Sequence, residues 1–270
     1  MDKIVVFDSG FGGLTVLKEL EKLLPDEEYI YYGDSANAPY GDKSHDELLK
    51  LDSAICTKVS EAYPVKCFVI ACNTTTSEVW DELTAKYSDY DFVGIEPALA
   101  WAAEENPGKR ILVLATTATI NGKRLKARYE EYKDRAEITL LAAPGIVPFV
   151  ESCSTGEQEF RDYLEELLGP YIGKTDCVVL GCTHFPFVKN EIREVLGDHI
   201  RFYDAAVTVA QNVRRLLEEK QKLAPAVSGK AGQQGTPAVR KENVIYLNSD
   251  PSKVEMEAQL LGVYSGIREI

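Results

Sequence analysis

The segment CFVIACNT at residues 67–74 returns, little changed, as CVVLGCTH at residues 177–184. Each copy is an apolar run of strand length that ends in a cysteine followed by short polar side chains. That composition is typical of a buried parallel strand that carries a thiol at its carboxyl end. The repetition predicts two matching strands, with the thiols of Cys72 and Cys182 placed so that they can face one another.

Other apolar runs alternate with longer amphipathic segments, which is the pattern of βαβ units in a parallel sheet. We predict strands at residues 3–8, 29–32, 67–72, 92–95, 110–115, 137–141, 177–181, 200–203 and 243–247. We predict helices at residues 12–24, 44–61, 76–87, 98–105, 119–133, 157–168, 187–196, 205–222 and 251–261. The predicted fold class is therefore α/β with largely parallel sheets.

A second repeat indicates that this α/β unit is duplicated. KIVVFDS at residues 3–9 and RILVLAT at residues 110–116 precede the two cysteine segments at similar distances. We predict two similar, pseudo-symmetric lobes with the active site in the crevice between them. The expected first lobe is discontinuous, with residues 1–96 and 206–270 and a flexible Gly/Pro-rich loop at about 224–240, and the second lobe spans residues 97–205.

Composition argues against several classes of partner. The chain has 270 residues, 45% of them hydrophobic, and a net charge of -13, with no basic stripe to replace the counterions of a nucleic acid. No stretch approaches the ~20 apolar residues of a membrane span. The apolar run after the first residues is also shorter than a signal-peptide core. We expect a cytoplasmic protein with reduced cysteines and no nucleic-acid or membrane partner.

The Cys-x4-Cys spacing occurs twice and raises the question of a metal site, which strand geometry argues against. In a strand that rises ~3.3 Å per residue, Cys67 and Cys72 point to opposite faces and lie roughly 16 Å apart. They cannot share a zinc ion or form a disulfide. Because the chain has only three histidines and no paired ligand spacing, we predict no metal site.

Polar clusters follow the predicted strands, at the edge of the sheet where ligands bind in α/β proteins. These clusters are Asp8-Ser9-Gly10, residues 72–75 and residues 182–184, and the turn-rich loop that ends at Pro39-Tyr40-Gly41 is expected to lie over the same crevice. The spacing of Gly10, Gly12 and Gly13 matches no nucleotide-binding motif. We interpret these glycines as a tight turn that brings backbone donors near a carboxylate, or as plain turn geometry.

Two thiols suit acid/base chemistry on opposite sides of one carbon atom. A thiol has an ordinary pKa of about 8.5 and one transferable proton, so it can act as a base or as an acid near neutral pH. The alternative is that Cys72 and Cys182 are structural cysteines that happen to end strands. His184 would contact a substrate, tune Cys182, or cap a helix that begins near Pro186.

Jointly, these motifs resemble the glutamate racemases of the cofactor-independent aspartate/glutamate racemase superfamily. The resemblance runs nearly end to end and is carried by residues 7–13, 32–34, 39–41, 71–74, 94–97 and 181–184. It implies that Cys72 and Cys182 are the acid/base thiols, acting on D-glutamate and L-glutamate respectively, without a cofactor. It implies substrate contacts from Asp8, Ser9, Tyr40, Gly41, Asn73, Thr74, Thr183 and His184, and auxiliary acid/base roles for Asp8, Glu151 and His184.

Several points stay open at this level. Glu151 is alternatively a solvated carboxylate at the start of a helix. The chain departs from the family's usual residues at Thr75-Thr76 and at residues 142–145 and 203–206. The resemblance implies that the product D-glutamate serves peptidoglycan synthesis, and it is compatible with a homodimer. The other hypotheses are a racemase for aspartate or a related acid, and a non-catalytic two-lobed protein that binds an amino acid.

Overall fold

The computed structural model describes residues 2–225 and 243–254. The strands in these ranges are β1 Lys3–Asp8, β2 Tyr29–Gly33, β3 Val65–Ile70, β4 Phe92–Gly94, β5 Arg110–Ala115, β6 Glu137–Ala142, β7 Cys177–Gly181, β8 Arg201–Asp204 and β9 Val244–Asn248. The α-helices are α1 Leu14–Leu23, α2 His45–Ala62, α3 Asn73–Glu78, α4 Trp80–Lys86, α5 Leu99–Glu105, α6 Thr117–Asn121, α7 Lys123–Tyr132, α8 Ile146–Glu151, α9 Gln158–Leu168, α10 Lys189–Leu196 and α11 Ala206–Glu219.

The strands form two separate parallel sheets. The first has the order β4-β3-β1-β2-β9 and the second has the order β6-β5-β7-β8. All the strand pairs in both sheets are parallel. Each sheet is covered by helices, as parallel sheets require. The predicted α/β class with two parallel sheets is confirmed.

Side chains along the central strands alternate between the two faces of each sheet, and both faces are buried. In β1, Ile4 and Val6 belong to the hydrophobic core that continues into the second sheet. Val5 and Phe7 point the other way, into a smaller core that includes Ile55 of α2. This double burial explains why the strands are continuous apolar runs in the sequence.

The register of the central strands brings their carboxyl ends together. In the first sheet Phe7 of β1 pairs with Ile70 of β3, so that Asp8 ends next to the segment that leads to Cys72. In the second sheet Ala115 pairs with Gly181, so that the residues after β5 and β7 are also neighbours. The fold thus gathers the ends of four strands at one place.

Some elements differ from their predicted bounds. Strand β3 ends at Ile70, and Cys72 is the N-cap of α3 instead of the last residue of the strand. The helix predicted at 76–87 is two short helices, α3 and α4. The helix predicted at 119–133 is also two, because Gly122 is extended between α6 and α7, with ψ at 146°.

The C-terminal part of the described chain returns to the first sheet. Helix α11 packs against α1, and β9 adds to the sheet beside β2. Most of the predicted loop at about 224–240, and the predicted helix 251–261 beyond residue 254, lie outside the described residues. The domain boundaries stay a prediction. Within residues 2–225 and 243–254, no helix is long and apolar enough to cross a membrane.

Candidate active site

The polar clusters that follow β1, β3, β5 and β7 meet between the two sheets. The hydroxyl oxygens of Thr74, from the first sheet, and Thr116, from the second, are 3.0 Å apart. The Thr183 hydroxyl of the second sheet donates a hydrogen bond of 3.2 Å to Asp8 Oδ1 of the first. Since these are the carboxyl ends of parallel strands, the crevice lies where ligands bind in open α/β sheets.

Cys72 and Cys182 line one narrow cavity in this crevice. Of the residues predicted for the site, the structure brings Ser9, Tyr40, Gly41, Cys72, Asn73, Thr74, Cys182, Thr183 and His184 to its wall. Its free volume is about 20 Å³, which is about the space that one water molecule needs. An amino acid is several times larger, so the crevice is nearly closed in this structure.

Asp8 does not line the cavity but lies directly behind it. Its carboxylate accepts hydrogen bonds from the backbone N–H groups of Gly10, at 3.2 Å, and Gly13, at 3.1 Å. The predicted glycine turn therefore does bring backbone donors to a carboxylate, which is the side chain of Asp8. Burial raises the pKa of Asp8, although these two bonds and the neighbouring His184 oppose the rise.

His184 connects the second cysteine to a buried carboxylate. Its Nδ1 is 3.8 Å from Cys182 Sγ, and its Nε2 donates a hydrogen bond of 2.6 Å to Glu151 Oε1. Burial lowers the pKa of His184, but its contacts with Cys182, Glu151 and Asp8 outweigh that effect and raise it well above the usual value. A cationic imidazole beside a sulfur favours the thiolate form.

The alternative interpretation of Glu151 is wrong. Glu151 is the last residue of α8 and its side chain is only 12% exposed, so it is neither at a helix start nor solvated. His184 is the N-cap residue of the 3-10 helix Phe185–Val188, although its side chain makes no capping hydrogen bond there. A Cβ atom at Gly10 or Gly12 would overlap with Glu151 or His184, which explains why glycine occupies both positions.

Cys72 has a more acidic set of neighbours than Cys182. Burial, together with the nearby carboxyls of Asp8 and Asp52, raises the pKa of the Cys72 thiol to about 12. Tyr40, which packs in the same apolar cluster as Cys72, donates a hydrogen bond of 2.5 Å to Asp34 Oδ2. The loop with Tyr40 therefore does lie over the crevice, as predicted.

The Asn73 side chain is placed to bind a ligand. It is 3% exposed, lines the cavity, and neither its oxygen nor its nitrogen has a hydrogen-bond partner within the described residues. Buried amides in proteins are almost always paired. An unpaired amide in a cavity wall can offer both a donor and an acceptor to a bound molecule.

Several residues of the cavity wall were not predicted as site residues: Pro39, Asp42, Thr116, Thr117, Pro144 and Val147. A signal for Thr116 was present in the sequence, because it follows β5 as Ser9 follows β1 in the repeated unit. Nothing comparable marks Pro144 or Val147. Among residues 2–225 and 243–254, no group of three or more His, Cys, Asp or Glu side chains could hold a metal ion.

The sequence profile of the Asp/Glu/Hydantoin racemase family matches residues 6–213. The chain belongs to this racemase family. One relative, the glutamate racemase of Clostridium novyi, is 43% identical over 217 residues, which are 79% of this chain and 83% of the relative. Another, the glutamate racemase of Herpetosiphon aurantiacus, is 36% identical over 226 residues, or 83% and 88% of the two chains.

Solved structures of racemases are similar over the whole chain. The glutamate racemase of Escherichia coli, in complex with L-glutamate and the activator UDP-MurNAc-Ala, has a TM-score of 0.81 at 31% identity, covering 100% of this chain and 98% of that one. The Bacillus anthracis enzyme has a TM-score of 0.82 at 24% identity, with 100% and 97% covered, which shows the fold alone. The resemblance to glutamate racemases is confirmed, and the chain is an amino-acid racemase.

Proposed function

We propose that this racemase interconverts L-glutamate and D-glutamate by proton transfer between Cys72, Cys182 and the substrate Cα. The observation that carries the proposal is that both cysteines line one narrow cavity. Glutamate is supported as the substrate by the glutamate racemases similar to this chain and by the solved complex of one of them with L-glutamate.

In this mechanism the two thiols exchange roles. A thiolate on one face takes the Cα proton as the Cα–H bond breaks, and the thiol on the other face gives its proton to Cα as a new bond forms. One thiolate and one thiol therefore remain after each turnover. Cys72 would remove the proton from D-glutamate and Cys182 from L-glutamate. A positioned acid or base contributes ~10² to 10⁴-fold to such a step.

Auxiliary groups support each thiol from behind. On the side of Cys182, the His184 imidazolium, held by Glu151, would stabilise the thiolate. On the other side, the Asp8 carboxyl raises the pKa of the Cys72 thiol, and it also accepts a hydrogen bond from the Thr183 hydroxyl. We assign Asp8 as the auxiliary acid/base group for Cys72.

The remaining wall of the cavity would hold the substrate. The side chains of Ser9, Asn73 and Thr74 supply hydroxyl and amide donors, and the Thr183 hydroxyl, which donates to Asp8, would accept a hydrogen bond from the substrate ammonium group. Such donors would bind the substrate carboxylates, and they would also stabilise the negative charge that develops beside the α-carboxylate as the Cα proton leaves. Tyr40 and Gly41 would contact the bound amino acid from the loop above. Asp8 would contact it through Thr183.

The biological setting is also proposed by similarity. D-glutamate produced in this reaction would serve peptidoglycan synthesis in the cytoplasm of a bacterium. A homodimer is compatible with this role. No metal or organic cofactor takes part in the proposed steps.

Deuterium exchange tests the proposed reaction. Incubation with either enantiomer of glutamate in D2O should place deuterium at Cα and form the other enantiomer, as followed by NMR and chiral chromatography. Aspartate serves as the comparison substrate. Saturable glutamate binding without exchange would contradict catalysis, and faster exchange of aspartate would contradict glutamate as the substrate.

A further inference from the structure

A buried carboxyl group with no role in the proposed proton transfer lies in α2. Asp52 is 0% exposed, and neither of its side-chain oxygens has a hydrogen-bond partner within the described residues. Burial raises its pKa well above the usual value, which favours the protonated carboxyl. Because an unpaired polar group in the interior is costly, its presence asks for an explanation.

The position of Asp52 puts it behind Cys72. Leu48 lies one helical turn before Asp52 on the same face of α2, and it packs in one apolar cluster with Tyr40 and Cys72. Helix α2 also packs against α3, which begins directly after Cys72. The same helix face that contacts the site thus carries the buried carboxyl.

Thr75 lies between the two groups. It is in the first turn of α3 and is 0% exposed. Its hydroxyl interacts with both the Asp52 carboxyl and the Cys72 thiol, yet it makes no well-formed hydrogen bond within residues 2–225 and 243–254. The Asp52 carboxyl and the Thr75 hydroxyl are therefore both near Cys72, and the hydrogen-bonding capacity of both is unused.

We propose that the Asp52 carboxyl and the Thr75 hydroxyl form a donor pair that stabilises the thiolate of Cys72. The protonated carboxyl donates its O–H to Thr75 Oγ1, and the Thr75 hydroxyl donates its own hydrogen to Cys72 Sγ when the thiolate forms. These hydrogen bonds shorten as the thiolate forms, but no proton is transferred between Asp52, Thr75 and Cys72. Asp52 touches no substrate and acts as a positioning residue. The inference rests on the proposed acid/base role of Cys72.

The surrounding charges explain why a neutral donor is needed at this place. The titratable groups that act on Asp52, or that it acts on, include Asp8, Asp34, Tyr40, Cys56 and Cys72, which are acids. Cys182 has the imidazole of His184 beside it. Within the described residues, the charged groups that act most strongly on Cys72 are Asp8 and Asp52, both acids. A hydrogen bond from a neutral pair stabilises an anion there without adding a further charge.

The proposal can be tested without measuring turnover. The pKa of Cys72 follows from the pH dependence of its alkylation by iodoacetamide, with the peptide that contains Cys72 quantified by mass spectrometry. Asp52→Leu removes the donor, whereas the matched variant Asp52→Asn keeps an N–H donor of the same shape. We expect the alkylation midpoint of Asp52→Leu to rise by about one pH unit, a tenfold loss of thiolate at a given pH, and that of Asp52→Asn to move far less.

A second pair of variants keeps the test decisive should Asp52→Leu fail to fold. Thr75→Val removes the bridging hydroxyl and should raise the midpoint as Asp52→Leu does, while Thr75→Ser should not. The double variant should shift no further than Thr75→Val alone. An unchanged or lowered midpoint in Asp52→Leu and Thr75→Val overturns the proposal, and a lowered midpoint in both Asp52 variants identifies Asp52 as an anion and also overturns it. If the parent protein itself does not racemise glutamate, that result would instead contradict the proposed function.

Discussion

Cys72 and Cys182 follow equivalent strands of the two sheets, yet they have different neighbours. Cys182 lies 3.8 Å from an imidazole that is held by a carboxylate. Cys72 lies among carboxyls and hydroxyls. A duplicated unit has thus kept the position of the thiol and changed the group that supports it. The two directions of the proposed reaction therefore depend on different chemistry.

Replacing either cysteine by serine tests its proposed role. A hydroxyl is a much weaker acid than a thiol, so Cys72→Ser and Cys182→Ser should each lower kcat by about 10² to 10⁴-fold. Circular dichroism of glutamate solutions gives the rate. Cys153→Ser is the control, because Cys153 is exposed and outside the cavity wall. Parent-like rates in either catalytic variant would contradict the assignment.

The sequence predicted the site residues at strand ends, but it did not predict contacts between residues that are far apart in the chain. Ser9, Asn73 and Thr183 follow apolar runs, and their place at the crevice follows from strand direction alone. The contact between Glu151 and His184 joins residues 33 positions apart. No local sequence pattern predicts this contact. The sequence alone therefore could not decide whether Glu151 is solvated or buried.

At the level of elements, strands were predicted more closely than helices. Strand β5 has its predicted bounds because a strand buried on both faces must be apolar throughout. Helix α3 escaped prediction because its sequence, NTTTSE, is polar and rich in threonine, which has a weak helix propensity. Burial of Asn73 and Thr74 against the second sheet stabilises a helix that the local sequence does not favour.

Strand β3 should make the stability of the protein sensitive to alkaline pH. Burial raises the pKa of Cys67 from 9.0 to about 12. The unfolded chain therefore loses this proton first, and the contribution of Cys67 to the free energy of unfolding is complete below about pH 9 and is lost as pH rises toward 12. At about pH 10.5 the loss should be about 2 kcal/mol.

Urea unfolding of the parent protein and of Cys67→Val, at about pH 8 and about pH 10.5, measures this contribution. The parent should lose more free energy of unfolding between the two values than the variant does. Other buried groups titrate in both proteins, so the difference isolates Cys67. Parallel losses in the two proteins would contradict a buried neutral thiol at this position.

On the scale of the whole molecule, the two sheets close on each other around the cavity. The repeated segments predicted two lobes and a crevice, but no sequence pattern gives the distance between lobes. The cavity between them has a free volume of about 20 Å³. We expect the sheets to separate when substrate enters, which would break the contact between Thr74 and Thr116.

A disulfide across the crevice tests this requirement. The Thr74 and Thr116 hydroxyl oxygens are 3.0 Å apart, so cysteines at both positions should cross-link under oxidation. The oxidised double variant should neither bind nor racemise glutamate. Reduction of its disulfide with dithiothreitol should restore racemisation. The two single variants under the same oxidant are the controls. Racemisation by the fully cross-linked protein would show that substrate enters without opening.

Glu151 touches three parts of the chain at once. Its carboxylate accepts from His184 and, at 3.0 Å, from the backbone N–H of Phe11 in the first-sheet turn, while its carbonyl accepts from Lys253. If the two sheets separate, the hydrogen bond from Phe11 would break, and the Glu151 carboxylate would keep the contact with the imidazole. Closure would then form the Phe11 contact at the same time as it brings the two thiols to one cavity. A carbanion formed at that moment would meet the proton of the opposing sulfur before any from bulk water.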